Sequence, residues 1–328
     1  MNERNEQVGQ TDDDAKHLSD TPRRQRRWLG PLLVGTAAVV ALVVIAPIAG
    51  VAVIYLQGRW DGGSDGEYVA LGSSFGAGPG VGSPAADSPT LCWRSAANYA
   101  HELARMRNLK LIDATCSGST AEQALHGGQY FQPPQVDSVG PHTRLVTITT
   151  GGNDVFYLPN MFGWSCANKS GGTPVAWRPL VCKTTSVEQE QQAFAALPAT
   201  FDRLIATARQ RAPSADIVVV DYITVLPSTG ACPDRVPFTP AEFDRARAAA
   251  GRLKALTAAV AARNNVTLIK ASELTAEHDV CSERPWVFGY TYPATPLNFG
   301  PIPYHPTAEA MSRVAAALDK TIDSALRN

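Results

Sequence analysis

Residues 31–56, "PLLVGTAAVVALVVIAPIAGVAVIYL", carry no charged side chain. Wound as a helix at about 1.5 Å per residue they would reach roughly 39 Å, more than the ~30 Å of hydrocarbon in a bilayer. That length predicts a transmembrane helix and divides the chain around it. Ahead of it, residues 1–30 are polar and mixed in charge with no hydrophobic period, so they bury too little surface to offset their ordering entropy and read as a disordered tail. The tail ends in "RRQRRW", and the positive-inside rule keeps such an arginine cluster cytoplasmic and sends the chain beyond Leu56 across the membrane. A cleaved signal peptide is the alternative, with secretion as its outcome, but its apolar core normally runs about 7–15 residues and does not come after so long a tail. The expected organisation is a cytoplasmic tail (1–30), a signal anchor (31–56), a linker (57–66) and an extracytoplasmic domain (67–328).

The 328 residues are 45% hydrophobic, which suits a packed core, and the formal net charge of -1 leaves no basic field for a nucleic-acid backbone. Cys92, Cys116, Cys166, Cys182, Cys232 and Cys281 all lie beyond the apolar run. An even number of cysteines in an exported domain argues for disulfides, although sequence alone leaves every pairing open. None of their spacings is a zinc pattern, and neither metal nor cofactor is expected. A monomer is expected.

Beyond the linker, β-rich runs alternate with helical periodicity, the pattern of a parallel sheet with crossover helices. Strands are expected at 68–72, 109–114, 144–150, 216–222 and 266–270. Helices are expected at 93–107, 119–126, 186–211, 240–264 and 306–326. Thr239, Pro240 and Glu242 form a complete helix start, and Ser119 with Glu122 offers a second capping box. The expected fold is a flavodoxin-like three-layer α/β/α sandwich on five parallel strands. Long irregular stretches remain at 75–91, 127–143, 155–185, 223–238 and 271–304, and structureless loops of such length are uncommon unless functional. All but 127–143 leave the C-terminal ends of strands, where open α/β sheets place their sites. If the strand order is 2-1-3-4-5, the least strained bridges are Cys92 with Cys116, Cys166 with Cys182, and Cys232 with Cys281.

Chemistry-bearing residues gather on that same face. "YVALGSSFGAGPG" ends the first strand and lifts Ser73 and Ser74 onto a glycine-rich turn, where a serine is a candidate nucleophile. "DATCSGST" puts Gly118 between the second strand and a capped helix, so its N–H can face the cleft, although glycines also fill such turns for purely local reasons. "TITTGGNDVFY" brings Asn153 to the end of the third strand, as an oxyanion donor or an Asx-turn cap. "PIPYHPTAEAM" sets His305 ahead of the last helix. His17 lies in the tail, His101 and His126 in expected helices, His142 before a strand and His278 in a polar turn. His305 is therefore the candidate base.

In this order, Ser, Gly, Asn and His, the blocks resemble the SGNH hydrolases, the GDSL esterase/lipase family, from Tyr68 to the last helix. "GSSF" is similar to the GDS(Y/F) block, which gives Ser74 the nucleophile's place and Ser73 that of the usual Asp. "GGND" is similar to the GxND block. The resemblance implies an oxyanion hole made of Asn153, the Gly118 N–H and the Ser74 N–H, with His305 as general base. The family usually carries Asp three residues before the histidine, and here that position is Ile302. Members similar in having three disulfides orient the imidazole with a main-chain carbonyl, and the Ile302 carbonyl is the expected one.

The expected function is therefore a membrane-anchored serine esterase or lipase. A carbohydrate O-acetylesterase of envelope glycans is the alternative within enzymes, and a non-catalytic surface module is the alternative of another class. Trp93, Trp164, Trp177 and Trp286 lie in or beside the face loops, to line an acyl pocket, form a sugar platform or pack small loop cores.

Overall fold

In the computed structural model, residues 45–59, 63, 65–169, 182–290 and 301–322 are described. The expected tail, residues 31–44 of the expected span, part of the linker, Trp177 and residues 323–326 of the last expected helix lie outside them. The chain divides into two compact units, of which Ile54–Asn328 holds the sheet.

Five strands build that sheet: β1 (Tyr68–Gly72), β2 (Leu111–Asp113), β3 (Leu145–Thr149), β4 (Asp216–Val220) and β5 (Thr267–Ile269). Every pairing is parallel and the order is 2-1-3-4-5. β1 is buried along its whole length, as a strand covered on both faces must be. Its side chains alternate between two cores. Tyr68 and Ala70 join a cluster with Leu103, Met311 and Val314, whereas Val69 and Leu71 join one with Leu125, Phe201 and Ile205. Helices Tyr99–Arg107 and Ala308–Ile322 thus cover one face, and helices Ala121–His126 and Val187–Arg211 the other. This is the three-layer sandwich that the strand and helix alternation implies.

Local chemistry fixes the helix starts. The Thr239 and Glu242 box caps helix Pro240–Arg263, with Pro240 in its first turn. The box at residues 119 and 122 is displaced by one: Thr120 caps Gln123, and the Ser119 hydroxyl turns to the Thr120 carbonyl instead. The expected loop 155–185 contains helix Tyr157–Lys169. Tyr157, Leu158, Met161 and Trp164 form its buried stripe, but Asn160 and Ser165 are buried with them and the half-buried Pro159, Phe162 and Cys166 are apolar, so the sequence shows no contrast between faces.

Helix Ala46–Arg59 includes Gln57–Arg59, the first residues of the expected linker. Gln57 accepts a hydrogen bond from the Thr90 N–H at 3.1 Å, and Gly58 is buried where a Cβ would sit 2.1 Å from the Tyr130 carbonyl oxygen. Among the described residues no helix is long and apolar enough to cross a membrane.

Disulfides join Cys92 to Cys116, Cys166 to Cys182, and Cys232 to Cys281, spanning 24, 16 and 49 residues. Loops of that order are stabilised by about 3–4 kcal/mol each on the chain-entropy account. Bridges of this kind belong to an extracytoplasmic domain.

Gly72 ends β1 with φ +139°, and a Cβ there would lie 2.1 Å from the Thr149 carbonyl oxygen on β3. Its carbonyl accepts from Cys116 N–H and from Gln135 Nε2, and its N–H donates to Gln135 Oε1. Gly72→Ala has no room to relax into, because the obstacle is backbone. It is expected to lower Tm by roughly 5 °C or more, read by calorimetry.

Candidate active site

Ser74 opens a single helical turn, Ser74–Ala77, directly after β1. Ser73 holds the extended backbone before it: its N–H donates to the Thr149 carbonyl, and its own carbonyl accepts from Gly76 and Ala77 N–H. A left-handed Gly78 closes the turn. Ser74 thereby stands at the carboxyl edge of the sheet, 6% exposed, and as the first helical residue its N–H has no intrahelical partner.

His305 arrives from the other end of the chain. Antiparallel contacts tie its segment to residues 286–288: Tyr304 N–H donates to Phe288 O, Phe288 N–H to His305 O, and Thr307 N–H to Trp286 O. The rings of Phe75 and Phe162 flank the imidazole at centroid distances of 5.1 and 6.0 Å. Ser74 Oγ and His305 Nε2 are 2.7 Å apart, across 231 residues of sequence. The imidazole is 3% exposed, and this burial holds it neutral, with a pKa lowered to about 4 against the raising effect of its bond to Pro303.

The orienting carbonyl is Pro303, not Ile302. His305 Nδ1 lies 2.8 Å from the Pro303 oxygen, while the Ile302 oxygen accepts the His305 backbone N–H at 3.2 Å. The reason is a turn over Ile302–His305, with Pro303 second and Tyr304 third at φ +64°, the placing of a type II turn. Closing that turn occupies the Ile302 carbonyl and leaves the next one for the ring. A tyrosine in the left-handed region is strained by about 1–2 kcal/mol. Complete burial of Tyr304 against Phe162, Phe238 and Tyr290 offsets that strain. With Nδ1–H donated to a carbonyl, Nε2 is left to accept the Ser74 hydroxyl proton.

Asn153 and Gly118 come from neighbouring loops. Asn153 Nδ2 donates to the Ser119 carbonyl at 2.9 Å, which ties the turn after β3 to the one after β2 and leaves its second amide hydrogen uncommitted to that bond. Gly118 adopts φ +85° and has no partner for its N–H among the described residues. Asp154 accepts the Ala121 N–H through both carboxylate oxygens, at 2.9 and 3.1 Å. Burial pushes its pKa up to about 6 against those bonds.

Three contributors carry little signal in the sequence. Gln135, within an expected loop, clamps Gly72. Pro303 supplies the carbonyl, and the Pro-Tyr pair ahead of the histidine is its available turn signal. Tyr222 closes the last expected residue of the fourth strand: its hydroxyl accepts the Gly152 N–H at 2.9 Å and lies 3.0 Å from Ser73 Oγ. Among the tryptophans, Trp164 packs edge-on against Phe238 under the Arg245 guanidinium. Trp286 is stacked by His278 and by Arg313. Trp164 thus belongs to the main core, and Trp286 packs against it.

Residues 70–313 match the GDSL-like lipase/acylhydrolase family. Lipase 2 of Streptomyces coelicolor is 31% identical over 259 residues, spanning 76% of this chain and 83% of that protein. The crystal structure of phospholipase A1 from Streptomyces albidoflavus NA297 superposes with a TM-score of 0.62 at 25% identity, covering 78% of this chain and 99% of the other. The extracellular lipase of Streptomyces rimosus does so at 0.61 and 28%, covering 79% and 98%.

Burial of a neutral His305 makes stability depend on pH. Its folded pKa lies below the unfolded value near 6.5, so the unfolded chain binds the extra proton first and stability falls as pH drops from 6.5 toward 4. Asp154, raised in the folded state, acts with the opposite sign between its usual value of 3.8 and about 6, so the histidine is isolated by difference. Between pH 6.5 and 4, wild type is expected to lose about 3 kcal/mol more than His305→Gln in denaturant titrations.

Proposed function

The chain belongs to the GDSL-like lipase/acylhydrolase family, and on that footing we propose that it is a membrane-anchored, extracytoplasmic serine esterase or lipase working through a Ser74 and His305 dyad. Carboxylic ester hydrolysis is the family's reaction. The observation that carries the mechanism is the 2.7 Å approach of Ser74 Oγ to a ring nitrogen whose partner nitrogen is committed to a carbonyl.

Ser74 Oγ attacks the ester carbonyl while its proton passes to His305 Nε2. The carbonyl oxygen gains negative charge, which the Ser74 N–H, the Gly118 N–H and the Asn153 carboxamide receive. Collapse of the tetrahedral intermediate expels the alcohol, which takes the proton from His305 and leaves an acyl group on Ser74. Water, deprotonated by the same nitrogen, then releases the acid and restores the hydroxyl. The Pro303 carbonyl fixes the tautomer without the negative charge that would offset an imidazolium, so turnover slower than that of a full triad is expected.

Acyl esters are favoured over acetylated sugars because Trp164 and Trp286, which could have formed a stacking platform, have their faces taken by neighbouring side chains. The relatives described as lipases and a phospholipase A1 support the same class. The uncharged run 31–56 supports anchoring, and Ile48, Val51, Val53 and Leu56 are exposed on its helical end. The three disulfides support a location outside the cytoplasm. The domain plan of tail, anchor, linker and hydrolase domain is retained on those grounds.

Hydrolysis of a p-nitrophenyl ester tests the roles. Ser74→Ala is expected to lose essentially all turnover, and Asn153→Ala about 10²–10³-fold, with both proteins folded. A wild-type rate in either variant removes that residue from the mechanism. The acid limb of kcat/KM is expected near pH 4, where His305 takes its proton and ceases to act as base, with a plateau through neutrality. Separately, the full chain is expected in the carbonate-resistant membrane fraction, and deletion of residues 31–56 is expected to move it to the soluble one.

A further inference from the structure

Ser73, Tyr222 and Gly152 form a chain of hydrogen bonds that takes no part in the transfer of the acyl group or of its proton. The Gly152 N–H donates to the Tyr222 hydroxyl at 2.9 Å, and that hydroxyl shares a proton with Ser73 Oγ at 3.0 Å. All three lie inside: Ser73 is fully buried and Tyr222 is 8% exposed. The close approach is built into the backbone, because a Cβ at Gly152 would sit 2.6 Å from the Tyr222 ring. The phenol ring also packs on Phe75, with centroids 4.3 Å apart. The residue before Tyr222 is fixed in turn: Asp221 accepts Ser272 N–H and Oγ at 2.8 and 2.7 Å, and its own N–H donates to the Ile269 carbonyl at the end of β5.

We propose that Tyr222 is a positioning residue, which holds the turn bearing Ser74 and the turn bearing Asn153 at the spacing that the oxyanion requires. Ser73 is the neighbour of the nucleophile, and Gly152 is the neighbour of the amide donor. The main-chain bond from Ser73 N–H to the Thr149 carbonyl joins the two turns at their root, and the Tyr222 hydroxyl, in contact with both Ser73 Oγ and Gly152 N–H, fixes their separation one residue further out. Burial keeps that hydroxyl un-ionised, so the link holds across the working pH range. The inference rests on the proposed roles of Ser74 and Asn153 and adds a fourth strand end, that of β4, to the machinery.

The test is steady-state hydrolysis of a soluble p-nitrophenyl ester by the full chain and its Tyr222→Phe, Ser73→Ala and double variants, each also in an Asn153→Ala background, with Tm measured alongside. Each single variant is expected to lower kcat about tenfold while KM stays within about twofold, since loosened geometry penalises the transition state more than substrate binding. The double variant is expected to fall no further than either single one, because both remove the same link. In the Asn153→Ala background the loss is expected to vanish, because the donor being positioned is gone. Wild-type kcat in either single, losses that multiply in the double variant, a loss carried by KM, or a loss that persists without Asn153 would each overturn the inference. Should Tyr222→Phe lower Tm substantially, Ser73→Ala decides alone, since it leaves the ring and its bond to Gly152 in place. An active Ser74→Ala would remove the assignment underneath. An inactive Ser74→Ala beside a fully active Tyr222→Phe would remove only this inference.

Discussion

A hydrogen bond of 2.7 Å between a hydroxyl on residue 74 and an imidazole on residue 305 closes a loop of 231 residues. No local preference creates such a contact. It requires that β1 stand in the middle of a parallel sheet, that every crossover return its helix to one face or the other, and that the last helix pack beside helix Tyr99–Arg107. Helix Ala308–Ile322 does this through Met311, Val314 and Leu318, in the same core as Tyr68 and Leu103. The 2-1-3-4-5 order then brings the turns after β1, β2 and β3 side by side. Each carries one of the groups proposed for the oxyanion hole.

Apolar surroundings set both the strength and the limits of the site. Phe75 and Phe162 beside the ring, together with a nearly complete absence of exposure, keep His305 neutral. A neutral imidazole is ready to accept a proton. The same burial makes the resulting imidazolium expensive, and the Pro303 carbonyl compensates it only through a dipole. On the proposed mechanism the chain thus combines a base that is available above about pH 4 with a charged intermediate that is weakly supported.

The strand alternation was readable because the central strands β1, β3 and β4 are apolar runs covered on both faces, whereas the partly exposed edge strands β2 and β5 are shorter than expected. The turns that carry Ser74 and Asn153 were readable because glycines announce them. Helix Tyr157–Lys169 was not, since its buried side includes Asn160 and Ser165 and its half-buried side carries Pro159, Phe162 and Cys166, which erases the contrast between faces. The exchange of Ile302 for Pro303 turned on a backbone conformation: a left-handed Tyr304, held there by its ring contacts, redirects which carbonyl faces the imidazole. Tyr222 was hidden for a related reason, as a tyrosine at the end of an apolar run looks like core until its hydroxyl is seen against Gly152 and Ser73.

Covalent capture addresses the dyad most directly. A fluorophosphonate requires an activated serine and leaves an adduct whose position peptide mass spectrometry reads. The account predicts a single adduct on Ser74 in the folded wild-type chain and its loss in His305→Gln. An adduct on another serine, or undiminished labelling of Ser74 without the imidazole, would contradict it.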